Sequence, residues 1–174
     1  GRTGIGDLVE YVKAAERLGV DAVWSAEAWG VDAVTSLAYL AGQTKTIRLG
    51  TGIMQISARA PSMTAMTALS LNEMSGGRFI LGLGVSGPQV VEGLHGVAYK
   101  APLTRLRETV EIIRMAFRGD KISFKGKYHE LPRPQGEGKA IRLGHPPAEI
   151  PIFLATLAPK ALEFTGAAAD GWLG

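Results

Sequence analysis

Backbone chemistry first stands exposed in this sequence at a glycine-rich loop behind a short apolar strand. Arg78 to Gly96 reads Arg-Phe-Ile-Leu-Gly-Leu-Gly-Val-Ser-Gly-Pro-Gln-Val-Val-Glu-Gly-Leu-His-Gly. Glycine lets a backbone approach a ligand closely and adopt positive φ. The loop therefore offers amides to something flat or anionic. Three further strand ends carry candidate groups: Ser25-Ala-Glu-Ala-Trp29, Gly50-Thr-Gly-Ile-Met54 and Ala155-Thr-Leu-Ala158. Glu27 is a hydrogen-bond or acid/base candidate, with a helix N-terminal acid as its structural alternative. His95, in the glycine loop, is a second acid/base candidate. Thr156 could donate its hydroxyl to an anion at the start of the helix near Pro159.

Other chemistry is thin. The chain has no cysteine, which excludes disulfides, thiolate catalysis and cysteine-ligated metals. Its three histidines are dispersed, so no metal site is expected. His129 and His145 read as structural or solvated. Met54, Met63, Met66 and Trp24 read as packing, and Trp29 as a pocket wall. Arg59 reads as a rim ion pair, and Arg105 and Arg107 as a solvated helix face.

The elements that position these groups follow from periodicity. Asp7 to Leu18 has helical spacing, with Asp7 as N-cap and Gly19 as C′ residue. Strands are expected at Asp21–Ser25, Ile47–Ile53, Arg78–Gly84, Pro151–Ala155 and from Gly171. Helices are expected at Val31–Gln43, Pro61–Met74, Leu103–Phe117 and Pro159–Ala168. A small hairpin is expected within 121–131. Residues 133–149, with three of the nine prolines, read as irregular. Strands alternating with helices imply right-handed crossovers and a parallel sheet.

Gly82, Gly84 and Gly87 match G-x-G-x-x-G, and the motif follows a strand as a dinucleotide site requires. Pro88 and the glycines beyond argue for loop rather than a helix opening at Gly87. No strand ending in an acid follows within about 20 residues. An NAD-linked Rossmann dehydrogenase is therefore the weaker reading. The stronger one is a barrel with its ligand groups at the C-terminal strand ends.

Three segments carry a resemblance: Ile47-Arg-Leu-Gly-Thr-Gly-Ile-Met54, Leu71-Asn-Glu-Met-Ser-Gly-Gly-Arg-Phe-Ile-Leu-Gly-Leu-Gly84 and Ala167-Ala-Ala-Asp-Gly-Trp172. They resemble the luciferase-like monooxygenase superfamily. The loop Ser86-Gly-Pro-Gln89 to Gly96 is similar to its coenzyme F420-dependent branch. The resemblance implies an α/β TIM (β/α)8 barrel, present here as an incomplete barrel of about strands 2 to 6. It implies one partial barrel domain over residues 1–174 with an irregular insertion at about 120–150. A complete barrel typically takes about 250 residues, so roughly three strands would lie outside. The resemblance also implies a cis peptide at Gly52–Ile53, against one face of the ring. Gly84, Val85 and Ser86 would line the cofactor, and Thr156, Leu157 and Ala158 would sit near its phosphate. Ala28 departs from related sugar-phosphate dehydrogenases and methanopterin reductases, which carry histidine there.

The expected activity is hydride transfer between coenzyme F420 and an organic substrate. The alternative is an FMN-dependent monooxygenase, with a non-catalytic flavin-binding protein further behind. A net charge of +3 without basic runs argues against nucleic acid. No apolar run reaches the roughly 18 residues of a membrane span. The expected partner is a small-molecule substrate, the expected location cytoplasmic, and the full-length protein is expected to be a homo-oligomer. The chain alone is expected to self-associate through exposed sheet edges.

Overall fold

In the computed structural model, residues 4–174 are described. Helix α1 (Ile5–Arg17) buries Val9 and Val12. Asp7 stands one turn inside it rather than at its cap and accepts from the Gly4 amide at 3.2 Å. Gly19, at φ 78°, ends it as expected. The chain then runs β1 (Ala22–Ser25), α2 (Ala33–Ala41), β2 (Arg48–Thr51), β3 (Met54–Gln55), α3 (Pro61–Met74) and β4 (Phe79–Gly84). After β4 come α4 (Pro88–Val91), α5 (Pro102–Phe117), the hairpin β5 (Phe124–Lys125) and β6 (Glu130–Leu131), β7 (Ile152–Ala155), α6 (Pro159–Ala168) and β8 (Gly171–Leu173).

The main sheet is wholly parallel, in the order β1-β2-β4-β7-β8. β3 also pairs with β4, so β2 and β3 together fill one strand position. Spatial order follows chain order without reversal. An open doubly wound sheet has such a reversal, and its nucleotide site lies there; the Rossmann reading is overturned on this ground. The sheet curls into a parallel half-barrel with β1 and β8 at its edges. All six residues of β4 are buried, as a strand covered on both faces requires. α3 packs beside α2 and α5 on the outer layer.

Two side chains hold the strand ends in register. The Arg78 guanidinium donates to the Ser75, Ile47, Ala41 and Thr44 carbonyls and to Thr44 Oγ1, at 2.6–3.2 Å. It pins the α2–β2 and α3–β4 connections at the base of the sheet. At the other end, Thr51 Oγ1 donates to the Gly82 carbonyl at 2.8 Å and accepts from the Gly82 amide at 2.9 Å. That hydroxyl takes over the ladder where the backbone turns out of β2. Immediately after it, the Gly52–Ile53 peptide is cis.

Three further expectations need correction. One helical turn, α4, does open at Gly87, because Val90 and Val91 give it a buried face. Trp24 is not core: it is 37 % exposed and faces inside the curl of the sheet. Met63 and Met66, on α3, are 52 % and 42 % exposed and are not part of the core. No described helix is long and apolar enough to cross a membrane.

Candidate functional site

The inner face of the half-barrel is shaped by alternating large and absent side chains. Trp24 lies opposite Gly50, and Phe153 lies between Gly82 and Gly171. The two rings meet with centroids 5.6 Å apart. A Cβ on Gly50 would stand 2.3 Å from the Trp24 ring, and one on Gly171 would stand 2.4 Å from the Phe153 ring. Trp24, backed by Phe153, lines a cavity of about 830 Å³ at the C-terminal strand ends.

Gly52 and Ile53 line that cavity, as do Gly84, Val85 and Ser86 from the tip of β4. Thr156, Leu157 and Ala158 line it from the tip of β7. All eight positions expected to touch a cofactor thus face one space. Gly84 fits its place because a Cβ there would stand 2.8 Å from Ile53 Cδ1. Ser86 holds φ 56°, the left-handed region that non-glycine residues rarely adopt. The Tyr99 hydroxyl donates to its carbonyl at 3.2 Å.

The Thr156 hydroxyl does not face an incoming anion. The single proton of Thr165 Oγ1 goes to the Ala161 carbonyl at 2.9 Å. Thr156 therefore donates to Thr165, at 2.6 Å. What remains at this tip is backbone, the start of α6, and Lys160. Lys160 is the one cation lining the cavity among the described residues. Sequence reasoning passed over Lys160. The available signal was a lysine in the first turn of a helix that begins at a strand tip. It also passed over Trp24 as a wall, together with Leu103, Leu106 and Leu173.

Glu27 borders the large cavity, but its carboxylate is already held. Arg59 donates to it through both terminal nitrogens, at 2.7 and 2.8 Å. The Gln55 and Ala33 amides each donate at 3.2 Å. Burial pushes the Glu27 carboxyl upward, but the Arg59 hydrogen bonds, the two amides and the Arg59 charge together hold it below its ordinary value. Arg59 is thus the rim ion pair expected of it. Glu27 also meets α2 at its N-terminus, the structural alternative weighed for it. His95 is exposed and does not border the large cavity. With Glu27 and Trp29 it lines a shallow space of about 300 Å³. His129 faces Glu108 at 3.0 Å, and His145 faces Ser70 at 3.3 Å, both away from the site.

Comparison with known proteins agrees with this geometry. The luciferase-like monooxygenase profile matches residues 1–174. A Mycobacterium tuberculosis protein assigned as a coenzyme F420-dependent oxidoreductase is 47% identical, covering 94% of this chain and 49% of that protein. The 5,10-methylenetetrahydromethanopterin reductase of Archaeoglobus fulgidus is 35% identical, covering 96% of this chain and 48% of the reductase. Among solved structures, the F420-dependent tetrahydromethanopterin reductase of Methanopyrus kandleri superposes with a TM-score of 0.84 at 24% identity, over 98% of this chain and 52% of that one. The chain spans about half the length of the curated relatives it matches. It belongs to the luciferase-like monooxygenase family.

Proposed function

We propose that this chain carries the cofactor-binding part of a coenzyme F420-dependent oxidoreductase acting on a small organic molecule. The observation that carries the proposal is the single cavity formed by Gly52, Ile53, the β4 tip and the β7 tip, with Trp24, backed by Phe153, as an apolar wall. Its volume of about 830 Å³ lies in the usual range for small-molecule and cofactor sites. The likeness to F420-dependent relatives supports that cofactor over FMN. Bound coenzyme F420 supplies two-electron hydride chemistry.

The residues fit such a group. Ile53 and Val85 present apolar surface to a planar ring, and Gly84 leaves Ile53 its room. Leu103 and Leu106 exclude water from the same space. The backbone of Leu157 and Ala158, with Lys160 at the start of α6, holds a phosphate. Glu27 keeps Arg59 and the start of α2 in place rather than moving a proton. Ala28 lines the cavity with a methyl group, so no proton is delivered from that position. This disfavours the sugar-phosphate and methanopterin reactions of relatives that carry histidine there. His95 keeps a candidate role at the substrate side, through the space it shares with Glu27. The full-length protein is further proposed to be a cytoplasmic homo-oligomer, the lack of cysteine being consistent with a reducing compartment.

The test is titration of the full-length protein with coenzyme F420 and with FMN, followed by fluorescence. Tight F420 binding with weak FMN binding is expected. Tight FMN binding with no F420 binding overturns the proposal. The loaded enzyme is expected not to turn over glucose 6-phosphate or methylenetetrahydromethanopterin, which a cofactor-reduction assay reads directly.

A further inference from the structure

A second cavity, of about 370 Å³, lies behind the large one and shares Val85, Tyr99 and Pro102 with it. Nothing in the function proposed above uses it. Two helices begin at its wall: α3 at Ala60–Pro61 and α5 at Ala101–Pro102, and neither N-cap residue supplies a side-chain hydrogen bond. First-turn amides without caps leave positive potential at both starts. Ser57 lines the same wall, and its Oγ is sealed from solvent without a hydrogen-bond partner among the described residues. Buried hydroxyls are rarely left so, and a ligand is one way to satisfy them.

The cations at this wall differ in what already answers them. Arg59 is paired with Glu27 at 2.7 Å and His129 with Glu108 at 3.0 Å. Lys100 and Arg105 have no ion pair among the described residues. The Arg105 Nε donates to the Lys100 carbonyl at 3.1 Å, and its guanidinium lies 4.5 Å from the Tyr128 ring centroid. The group is thereby oriented while its two terminal nitrogens stay open, a fork suited to a carboxylate. Ile56, Val91 and Val97 make the rest of the wall apolar.

We propose that this pocket binds the carboxylate end of a small organic acid, held by Arg105, Lys100 and Ser57 between the starts of α3 and α5. That carboxylate has two possible sources: a free acid, or the glutamyl tail of coenzyme F420 reaching past Tyr99. The second source rests on the function proposed above; the pocket itself does not.

The experiment titrates the full-length protein with γ-linked diglutamate and with its fully amidated counterpart, by calorimetry at low salt. Diglutamate binds and the amide does not. Arg105→Gln weakens diglutamate binding by about tenfold or more, which is about 1.4 kcal/mol. Ser57→Ala weakens it severalfold without lowering the melting temperature. Lys100→Gln, at an exposed position, gives the same direction should Arg105→Gln fold poorly. Absence of diglutamate binding, or equal binding by wild type and the variants, overturns the proposal. Coenzyme F420 with and without its glutamyl tail separates the sources. Weaker binding of the tailed form alone by Arg105→Gln assigns the tail; unchanged binding of both forms, with diglutamate binding still reduced, assigns a free acid. If neither deazaflavin binds, the functional reading falls while the diglutamate result still decides the pocket.

Discussion

Glu27 and Arg59 show how a residue's type can point to one role and its partners to another. An acid past a strand end, facing a cavity, invites an acid/base assignment. Four hydrogen bonds instead fix it as an anion, and Arg59 depends on it for charge balance. Glu27→Gln therefore leaves a half-buried guanidinium without its counter-charge. A loss of about 2 kcal/mol is expected in urea unfolding, below the figure for a fully buried pair because the site is partly open to solvent. The pH dependence has a definite sign. The folded-state pKa of Glu27 and Glu108 lies below the ordinary value, and that of Glu16 falls to about 2 through the Thr46 and Ile47 amides. Their contributions are present in full above the unfolded carboxyl value of about 4.3 and fade as pH falls through the folded values. Thermal stability should stay level from neutral pH to about 5, then decline, and Glu27→Gln should show a shallower decline.

At the scale of elements, the strands are held apart at the right distance by glycines and together by two polar staples. A Cβ on Gly82 would stand 1.8 Å from the Thr51 carbonyl oxygen, a backbone atom that no rotamer change can move. Gly82→Ala should destabilise the fold by about 3 kcal/mol, the upper part of the usual overpacking range, as read in chemical denaturation. Gly84→Ala meets side-chain atoms of Ile53 and Ala155 rather than backbone. It should leave the fold nearly intact and weaken cofactor binding by about tenfold, or about 1.4 kcal/mol. At the opposite end of the sheet, Arg78→Ala strands the carbonyls of Ser75, Ile47, Ala41 and Thr44. About 2 kcal/mol of stability should be lost, with cofactor affinity unchanged. That contrast in readout separates the base of the sheet, which stabilises, from its C-terminal rim, which binds.

Among the described residues, the parallel sheet ends in two strands, β1 and β8, each with one neighbour. Unpaired parallel edges invite pairing with another chain. The 174-residue chain by itself should elute from size exclusion as a broad, concentration-dependent distribution. A single sharp monomer peak would contradict this. Trp24, Trp29 and Trp172 are 37 %, 79 % and 55 % exposed, so tryptophan fluorescence of the isolated chain should be red-shifted and easily quenched by iodide.

Much of this protein is legible along the chain. The alternation of short apolar runs with helical spacing places α3 and α6 at their observed ends, because proline opens each one. The small residues at the tips of β4 and β7 announce a ligand surface, because only bare backbone suits it. Those readings concern neighbours in sequence, where steric and capping rules act locally. Other facts depend on contacts between residues about 10 to 40 apart in sequence. Trp24 becomes a cavity floor only because Gly50 lies opposite it. The Thr156 hydroxyl turns inward only because Thr165, in the second turn of α6, accepts from it. Glu27 loses its proton chemistry only because Arg59 and two amides converge on it. Local pattern shows which groups are available; tertiary packing decides which of them are already answered.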